Sequence, residues 1–587
     1  MIWHLEKHRC KESGCDWLDK KHLIRVAQGL EPADLVLKNA EVFHVFTGEF
    51  ILCDIAIADG YVAGTGSYFG IEEIDMQGKY ITPGFIDAHV HIESSMLTPQ
   101  QFAKAALPCG VTTIVTDPHE IANVCGTKGI QFMLDATENI PLNVYVMLPS
   151  CVPSTDFEDS GAVLLAEELE PFLQHPRVLG LAEVMNAPGV LQQDENVMAK
   201  LHMAKDYHID GHAPGLTVSQ LMGYRAAGIT SDHECITYEQ ALERLRAGIS
   251  VMLREGTAAK NMKGLLPAVN PDTASSFMFC ADDKVPRELL DSGYINCMVK
   301  TAIGAGVSVA NALQMATINA ARHFDIKDAG AILPGYRADL LVFDNLDDWK
   351  PVQVYKDGIL AVDKGNLLVE GRDCDSSHLE NTVNIGDVSL DSFKMPLKTE
   401  MARVIGLVPY QIVTKKAVLS VKRENGCAVS DVENDVLKIL VFERHHATGN
   451  VGKGLVKGYG LKRGAVASTV GHDSHNLIVI GTNDVDMLSA VQELQRIGGG
   501  ICIAENGSIK GSLPLPVGGL MTNAPARYVA DRQGELVAMA REMGVAEFYS
   551  PFLTLAFLSL PVIPSLKLTD RGLVDVDTFG FVPLEVK

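Results

Sequence analysis

Two histidines two residues apart open the chemistry of this chain. The run Pro83-Gly84-Phe85-Ile86-Asp87-Ala88-His89-Val90-His91-Ile92-Glu93 follows a Pro-Gly turn signal with an apolar stretch of strand character. Alternate side chains of a strand share a face, so His89 and His91 can offer both imidazoles to one metal ion. A His-x-His pair alone is weak evidence, and its weight comes from further ligand types downstream. Glu183 ends the apolar run VLGLAE, His212 sits in DGHAPG, His233 in SDHE, and Asp282 in FCADD. Read singly, His212 is also a turn residue, His233 a helix cap, and the Asp282-Asp283 pair an N-cap. Glu183 resists such a reading, because a carboxylate among apolar residues is costly to bury unless paired or metal-bound. Four histidines and two carboxylates suffice for two divalent ions, with Glu183 bridging them and Asp282 beside them as a general acid–base group.

The elements that must position these residues follow from the texture of the sequence. Residues 33–82 alternate short β-type runs with Asn-Gly, Asp-Gly and Gly-Lys turns, the pattern of a small antiparallel domain. Beyond Asp87, apolar strands alternate with helical patterns, among them VTTIVT, LNVYVMLPS, VLGLAEVM, YHIDGHAP, GISVMLREG and FMFCADD. About eight such units imply a parallel (βα)8 TIM-like barrel, whose strand ends gather catalytic residues distant in sequence. The β texture returns after NALQMATINAARHF, so the barrel reads as an insertion within a small β-sandwich. The expected α/β division is residues 1–82 for the N-terminal segment and first half-sandwich, 83–325 for the catalytic barrel, 326–385 for the second half-sandwich, and 386–587 for a C-terminal α/β domain. The Gly-rich runs GNVGKGLVKGYG and IGGG lack the strand–turn–helix setting of a nucleotide fingerprint and read as loops.

Bulk properties narrow the class. A chain of 587 residues with 47% hydrophobic and 21% charged residues is globular and multidomain. Its formal charge of −23 argues against a phosphate-backbone binder, so no nucleic-acid partner is expected. Twelve cysteines include no C-x-x-C, and Cys10 and Cys15 read as free thiols. The opening MIWHLEKHRC has no secretory pattern, and the apolar run 552–564 is short and proline-broken, so a cytoplasmic protein without a membrane span is expected.

The order HxH, fourth-strand carboxylate, single histidines on the fifth and sixth strands, and last-strand Asp resembles the amidohydrolase superfamily. The motifs PGFIDAHVHIESSM, TDPHEIANVCG, GLAEVMN, DGHAPGL, LREGTAAKN, CADD and PFLTLAFLSLPVIP resemble the bacterial adenine deaminases within it, from about Ala33 to the C-terminus. No lysine lies between Arg177 and Lys200, so a carbamylated-lysine bridge is excluded and Glu183 takes that place. The resemblance implies hydrolytic deamination of adenine to hypoxanthine and ammonia in purine salvage. It also implies a binuclear Mn(II) or Fe(II) centre, to which Zn(II) is also suited by the donor set, and a homo-oligomer such as a dimer. Glu234, beside His233, is a candidate for purine contact and catalysis. Asp117, His119 and Glu120 are candidates for an outer layer or an accessory ion. Arg254 and Glu255 are expected to order one another near the mouth. His472 and His475, in the polar loop ASTVGHDSHN, read either as a turn or as a lid over the site. The nearest rival activity is metal-dependent hydrolysis of a cyclic amide. A cytidine-deaminase type of zinc site fails because no P-C-x-x-C follows His91-Ile92-Glu93. A scaffold without catalysis fits poorly, since every expected ligand position is filled.

Overall fold

The computed structural model describes residues 20–586, so Cys10 and Cys15 lie outside the described residues. Strands Ala33–His44, Glu49–Ala58, Tyr61–Gly66, Gly70–Asp75 and Tyr80–Pro83 share one nine-stranded sheet with Leu340–Phe343, Gln353–Lys356, Ile359–Asp363 and Asn366–Leu367. The seam is the antiparallel pairing of Leu340–Phe343 on Tyr80–Pro83, with Leu340 opposite Pro83 and Phe343 opposite Tyr80. The intervening chain is thereby inserted between two halves of one sheet. Asp59-Gly60 illustrates how the sequence sets this register: both residues have positive φ (55° and 81°), which a tight two-residue hairpin turn demands, and Ala58 pairs with Tyr61 across it. The expected antiparallel pattern has exceptions, since Ala33–His44 pairs in parallel with Gly70–Asp75 and with Tyr80–Pro83.

The inserted part carries eight successive strands: Phe85–His91, Val111–Thr116, Asn143–Leu148, Val178–Val184, His208–Gly211, Ser231–Asp232, Ser250–Arg254 and Phe277–Cys280. All their ladders are parallel. Asp282–Asp283 continues the last strand and pairs with Phe85–His91, so the end of the series returns to its start. The ladders of the expected barrel do not run as one unbroken ring. The strands make a curled parallel sheet in two parts, dividing between His208–Gly211 and Ser231–Asp232. At the division Thr230 N–H donates to the Ile209 carbonyl at 3.0 Å, but Gly211 N–H donates to the Ser231 hydroxyl at 3.3 Å. A side-chain oxygen has taken the place of a backbone acceptor there, which ends the ladder. Phe85–His91 is buried along its whole length, as a parallel strand covered on both faces must be.

Beyond residue 400, an eight-stranded, mainly antiparallel sheet runs in the order Thr414–Ser420, Met401–Leu407, Val451–Lys457, Val436–Phe442, Leu477–Gly481, Ala465–Ser468, Gly500–Glu505, Ser508–Pro514. Helix Asp484–Arg496 covers it, burying Met487, Ala490, Val491 and Leu494 at helical spacing. The Asn483 side chain caps this helix by accepting from Asp486 N–H at 2.9 Å. Among the described residues no helix is long and apolar enough to cross a membrane.

Candidate active site

The strand ends deliver one cluster. His89 and His91, from the first strand, bring their Nε2 atoms to 3.2 Å from each other. His91 Nδ1 donates to the Asp117 carbonyl at 2.9 Å. That bond leaves the lone pair of the neutral ring on Nε2, aimed into the cluster. Glu183, the penultimate residue of its strand and 4% exposed, lies between the imidazoles. Its Oε1 faces His91 Nε2 at 3.4 Å and His89 Nε2 at 3.8 Å, with His119 Nδ1 at 3.9 Å. Its Oε2 faces His212 Nδ1 at 2.9 Å and His233 Nε2 at 3.2 Å. One carboxylate oxygen therefore serves each half of the histidine set.

Asp282 closes the first half. Its Oδ1 lies 3.2 Å from His91 Nε2, and its Oδ2 accepts from Arg254 Nη1 at 2.6 Å. Asp282 is in the left-handed region (φ 58°), a conformation that Asp and Asn tolerate best among residues with a Cβ and that still carries strain. The same Arg254 Nη1 also donates to Glu234, whose Oε1 stands 3.5 Å from His233 Nε2 and 3.6 Å from His212 Nδ1. Arg254 and Glu255 do not order one another as expected. They are consecutive on and just past a strand and diverge: Arg254 turns inward to Asp282 and Glu234, whereas the Glu255 carboxyl pKa is raised by burial and opposed by the charges of Lys260, Lys284 and Lys263.

The support around these groups is polar and buried. Asp232 holds Arg244 at 2.8 Å and accepts from Ala213 N–H and Glu234 N–H, tying the fifth and sixth strand ends together. Asn261 Nδ2 donates to the carbonyls of His233 and Cys235. Asp87 accepts from His89 N–H and Ala281 N–H, joining the first strand to the last. Asp117 and His119 meet at 3.0 Å, and Glu120 accepts from Ser94 Oγ at 2.9 Å. Ser94 Oγ also lies 2.5 Å from Asp283 Oδ1, which places Asp283 one layer behind Asp282.

The loop 469–476 reaches this layer from the C-terminal sheet. His472 Nδ1 stands 3.5 Å from Glu120 Oε1, and Asp473 Oδ1 stands 3.8 Å from His119 Nε2. Ser474 donates to Glu158 at 2.7 Å. His475 turns into its own loop, its Nδ1 accepting from Gly471 N–H at 3.2 Å. Asp473, Ser94 and Glu158 were not singled out from the sequence. Ser94 had a usable signal, the polar Glu-Ser-Ser directly after the His-x-His strand, but the other two meet their partners only through contacts between distant segments.

The protonation pattern suits cation binding. Burial pushes His89 down to about 3, reinforced by the neighbouring His233 and His91. Burial also opposes the charged form of His233, yet Glu183 outweighs it and raises that ring to about 9. Glu183 is held well below the carboxylate range, against its own desolvation, by His233 and His212. A neutral imidazole beside others that hold protons against a shared ionised carboxylate is an arrangement in which cations can take the place of protons. The donor set fits: His91, Asp117, His119 and Glu183 offer atoms all within 4.8 Å of one another, as do His89, Glu183 and His233, and His89, His91 and Asp282. Imidazole with carboxylate suits Mn, Fe or Zn.

Comparison with known proteins agrees with this architecture. Residues 80–367 match the amidohydrolase family and residues 411–580 match the adenine deaminase C-terminal domain. A protein named adenine deaminase 2 from Carboxydothermus hydrogenoformans is 54% identical over 96% of this chain and 99% of its own. Proteins named adenine deaminase from Desulfatibacillum aliphaticivorans and Clostridium acetobutylicum are each 46% identical, over 96% and 95% of this chain and 99% of their own lengths. With near-complete coverage in both directions, the chain belongs to the adenine deaminase family of amidohydrolases.

Proposed function

We propose that the protein hydrolyses adenine to hypoxanthine and ammonia at the cluster around Glu183. The substrate rests on the near-full-length identity to proteins named adenine deaminase. The chemistry rests on one observation, the division of the Glu183 carboxylate between two sets of imidazoles. In this reading His89, His91, Glu183, His212, His233 and Asp282 would hold two divalent ions, manganese or ferrous iron. When bound, such ions supply a water acidic enough to act as a nucleophile near neutral pH.

Asp282 takes a proton from the attacking water as the water oxygen adds to C6 of the purine. It then returns the proton to the ring or to the departing amine. Of the two water protons, one ends on N1 and the other on the amine, which leaves as ammonia while the oxygen remains on C6. Arg254 keeps Asp282 ionised and ready to accept, opposing the effect of burial together with His91. Glu234 is likewise held below the usual carboxylate range, first by Arg254 and then by His212. As an anion it accepts a hydrogen bond from a purine N–H, so it positions the base rather than donating to it. Asp117, His119 and Glu120 brace the histidines, and His472 reaches them from the loop above. The parallel strands act as a TIM-like barrel within residues 83–325, flanked by the half-sandwiches 1–82 and 326–385 and the domain 386–587. The working form is a cytoplasmic homo-oligomer.

The test is an ammonia-release screen of the purified protein over adenine, adenosine, other purines and cyclic amides, with metal content measured alongside. Release from adenine at about two metals per chain supports the reading. Turnover of a hydantoin or dihydropyrimidine ring without ammonia release from adenine overturns it.

A further inference from the structure

Two of the motifs named above contribute only Arg254 to the cluster, yet the fold brings them face to face. Thr257 and Ala258 of LREGTAAKN and Leu553, Thr554 and Phe557 of PFLTLAFLSLPVIP line, with residues 407–414, a cavity of about 220 Å³. An apolar cavity of about 150 Å³ already holds benzene, so this one has room for a bicyclic base. None of its lining residues carries a charge. Aromatic rings mark it at the rim and at the floor. Tyr410 and Phe548 meet at 6.1 Å, and although apolar in body they are 81% and 39% exposed.

The floor connects to the cluster through single side chains. Phe557 stacks on His472 with centroids 4.7 Å apart and planes at 25°, and His472 faces Glu120. On the opposite wall Thr257 N–H donates to the Asp283 carbonyl at 2.7 Å, one residue from Asp282. Beneath, the buried Lys567 ties two walls together by donating to the carbonyls of Ile412 at 3.0 Å and Phe557 at 2.8 Å. The cavity is thus uncharged, aromatic, and one residue layer from the cluster.

We infer that this cavity is a second binding site for a neutral planar heteroaromatic base, an entry station where adenine stacks before it passes to the cluster. The inference rests on the adenine deaminase reading. Stacking on aromatic faces suits any purine ring, and the Gln411 amide and Thr554 hydroxyl offer hydrogen bonds without fixing one base. The uncharged lining offers nothing to a phosphate, so the site selects free bases over nucleotides.

Steady-state kinetics with adenine on the metal-loaded protein test it, using Tyr410→Ala, Phe548→Ala and the cavity-filling Thr554→Trp. Loss of one base–aromatic stack is expected to raise KM by about fivefold or more. kcat and metal content stay at parental values, and Thr554→Trp lowers kcat/KM at least as far. Tyr410 is exposed, so its variant folds even if Thr554→Trp does not. KM within twofold of the parent in both rim variants overturns the inference. So does a change in solution mass by light scattering, which would make the rim a contact between copies of the chain. If the parent releases no ammonia from adenine, the functional reading has failed; if the parent turns over and the variants are indifferent, only the entry station has.

Discussion

Replacing Arg254 with Met is the sharpest probe of how Asp282 works. One guanidinium nitrogen serves both Asp282 and Glu234, and all three groups are largely buried. Opposite unit charges about 4 Å apart interact by about 4 kcal/mol at an effective dielectric constant of about 20. At about 1.36 kcal/mol per pKa unit, that is an upper bound of about three units on what Arg254 does to Asp282. Metal ions bound at the cluster would hold the same carboxylate, so the share that Arg254 controls is smaller, on the order of one unit. The sign is fixed by the direction: Arg254 lowers the Asp282 pKa, and the ionised form is the one that accepts a proton. Activity therefore falls as pH drops through that pKa, and removing Arg254 moves the acidic limb of kcat/KM to higher pH. Turnover at neutral pH should fall by about 10²-fold or more, as expected when an acid–base group loses its orientation. The assay is ammonia release across pH on protein of verified metal content, with Arg254→Lys as a charge-preserving control that restores part of the limb. An acidic limb in its parental position, with kcat within twofold of the parent, would refute the role given to this pair.

Three further outcomes follow from the same geometry. Glu183→Gln should lose activity together with metal, because a neutral amide is a poor bridge between two dications, and metal analysis of the purified variant checks it; full occupancy with parental turnover would exclude the bridge. Asp282→Asn should keep most metal while kcat falls by about 10²–10⁴-fold, with Asp283→Asn, one layer behind on Ser94, clearly milder in the same assay. Arg444→Met should lower the thermal midpoint by about 4–8 °C, from a net loss of about 2 kcal/mol, because the buried guanidinium donates to the carbonyls of His475 and Gly518 and to Thr382 Oγ1; calorimetry on the holoenzyme reads it.

The buried cluster was legible because its members lie at the ends of strands whose apolar runs are visible in the sequence. A parallel strand buried on both faces has few reasons to end in His or Glu, so those residues stood out. The outer layer was less legible for the opposite reason. Asp473 meets His119 and Ser474 meets Glu158 across more than 300 residues, between segments with no shared periodicity. The Arg254–Glu255 expectation failed on alternation, a rule the sequence already contained: neighbours on a strand point apart. The two-part ladder was hidden because it turns on one hydroxyl, Ser231 Oγ, competing with a backbone acceptor.

How adenine reaches a cluster whose histidines are almost all buried turns on which cover opens. The loop 469–476 was the expected lid, but its anchors are many: Thr469 Oγ1 donates to the Gly519 carbonyl, Ser474 to Glu158, Asn476 Nδ2 to the Asp159 carbonyl, and Arg444 grips the His475 carbonyl. Segments of low local stability have few buried contacts and exposed backbone, and that description fits the loop 256–260 better. There the ties are the Thr257 N–H bond to Asp283, the Val285 N–H bond to Thr257 Oγ1, the Gly256 N–H bond to Ala259, the Asn261 N–H bond to Arg254, and an ion pair of the half-exposed Lys260 with Glu288 at 3.5 Å. This loop separates the uncharged cavity from Asp282. Lifting it costs few hydrogen bonds and joins cavity to cluster, whereas lifting 469–476 would strip buried polar groups of their partners. Of the two covers, the loop 469–476 is held by the more deeply buried polar contacts, so opening the seventh-strand loop costs less.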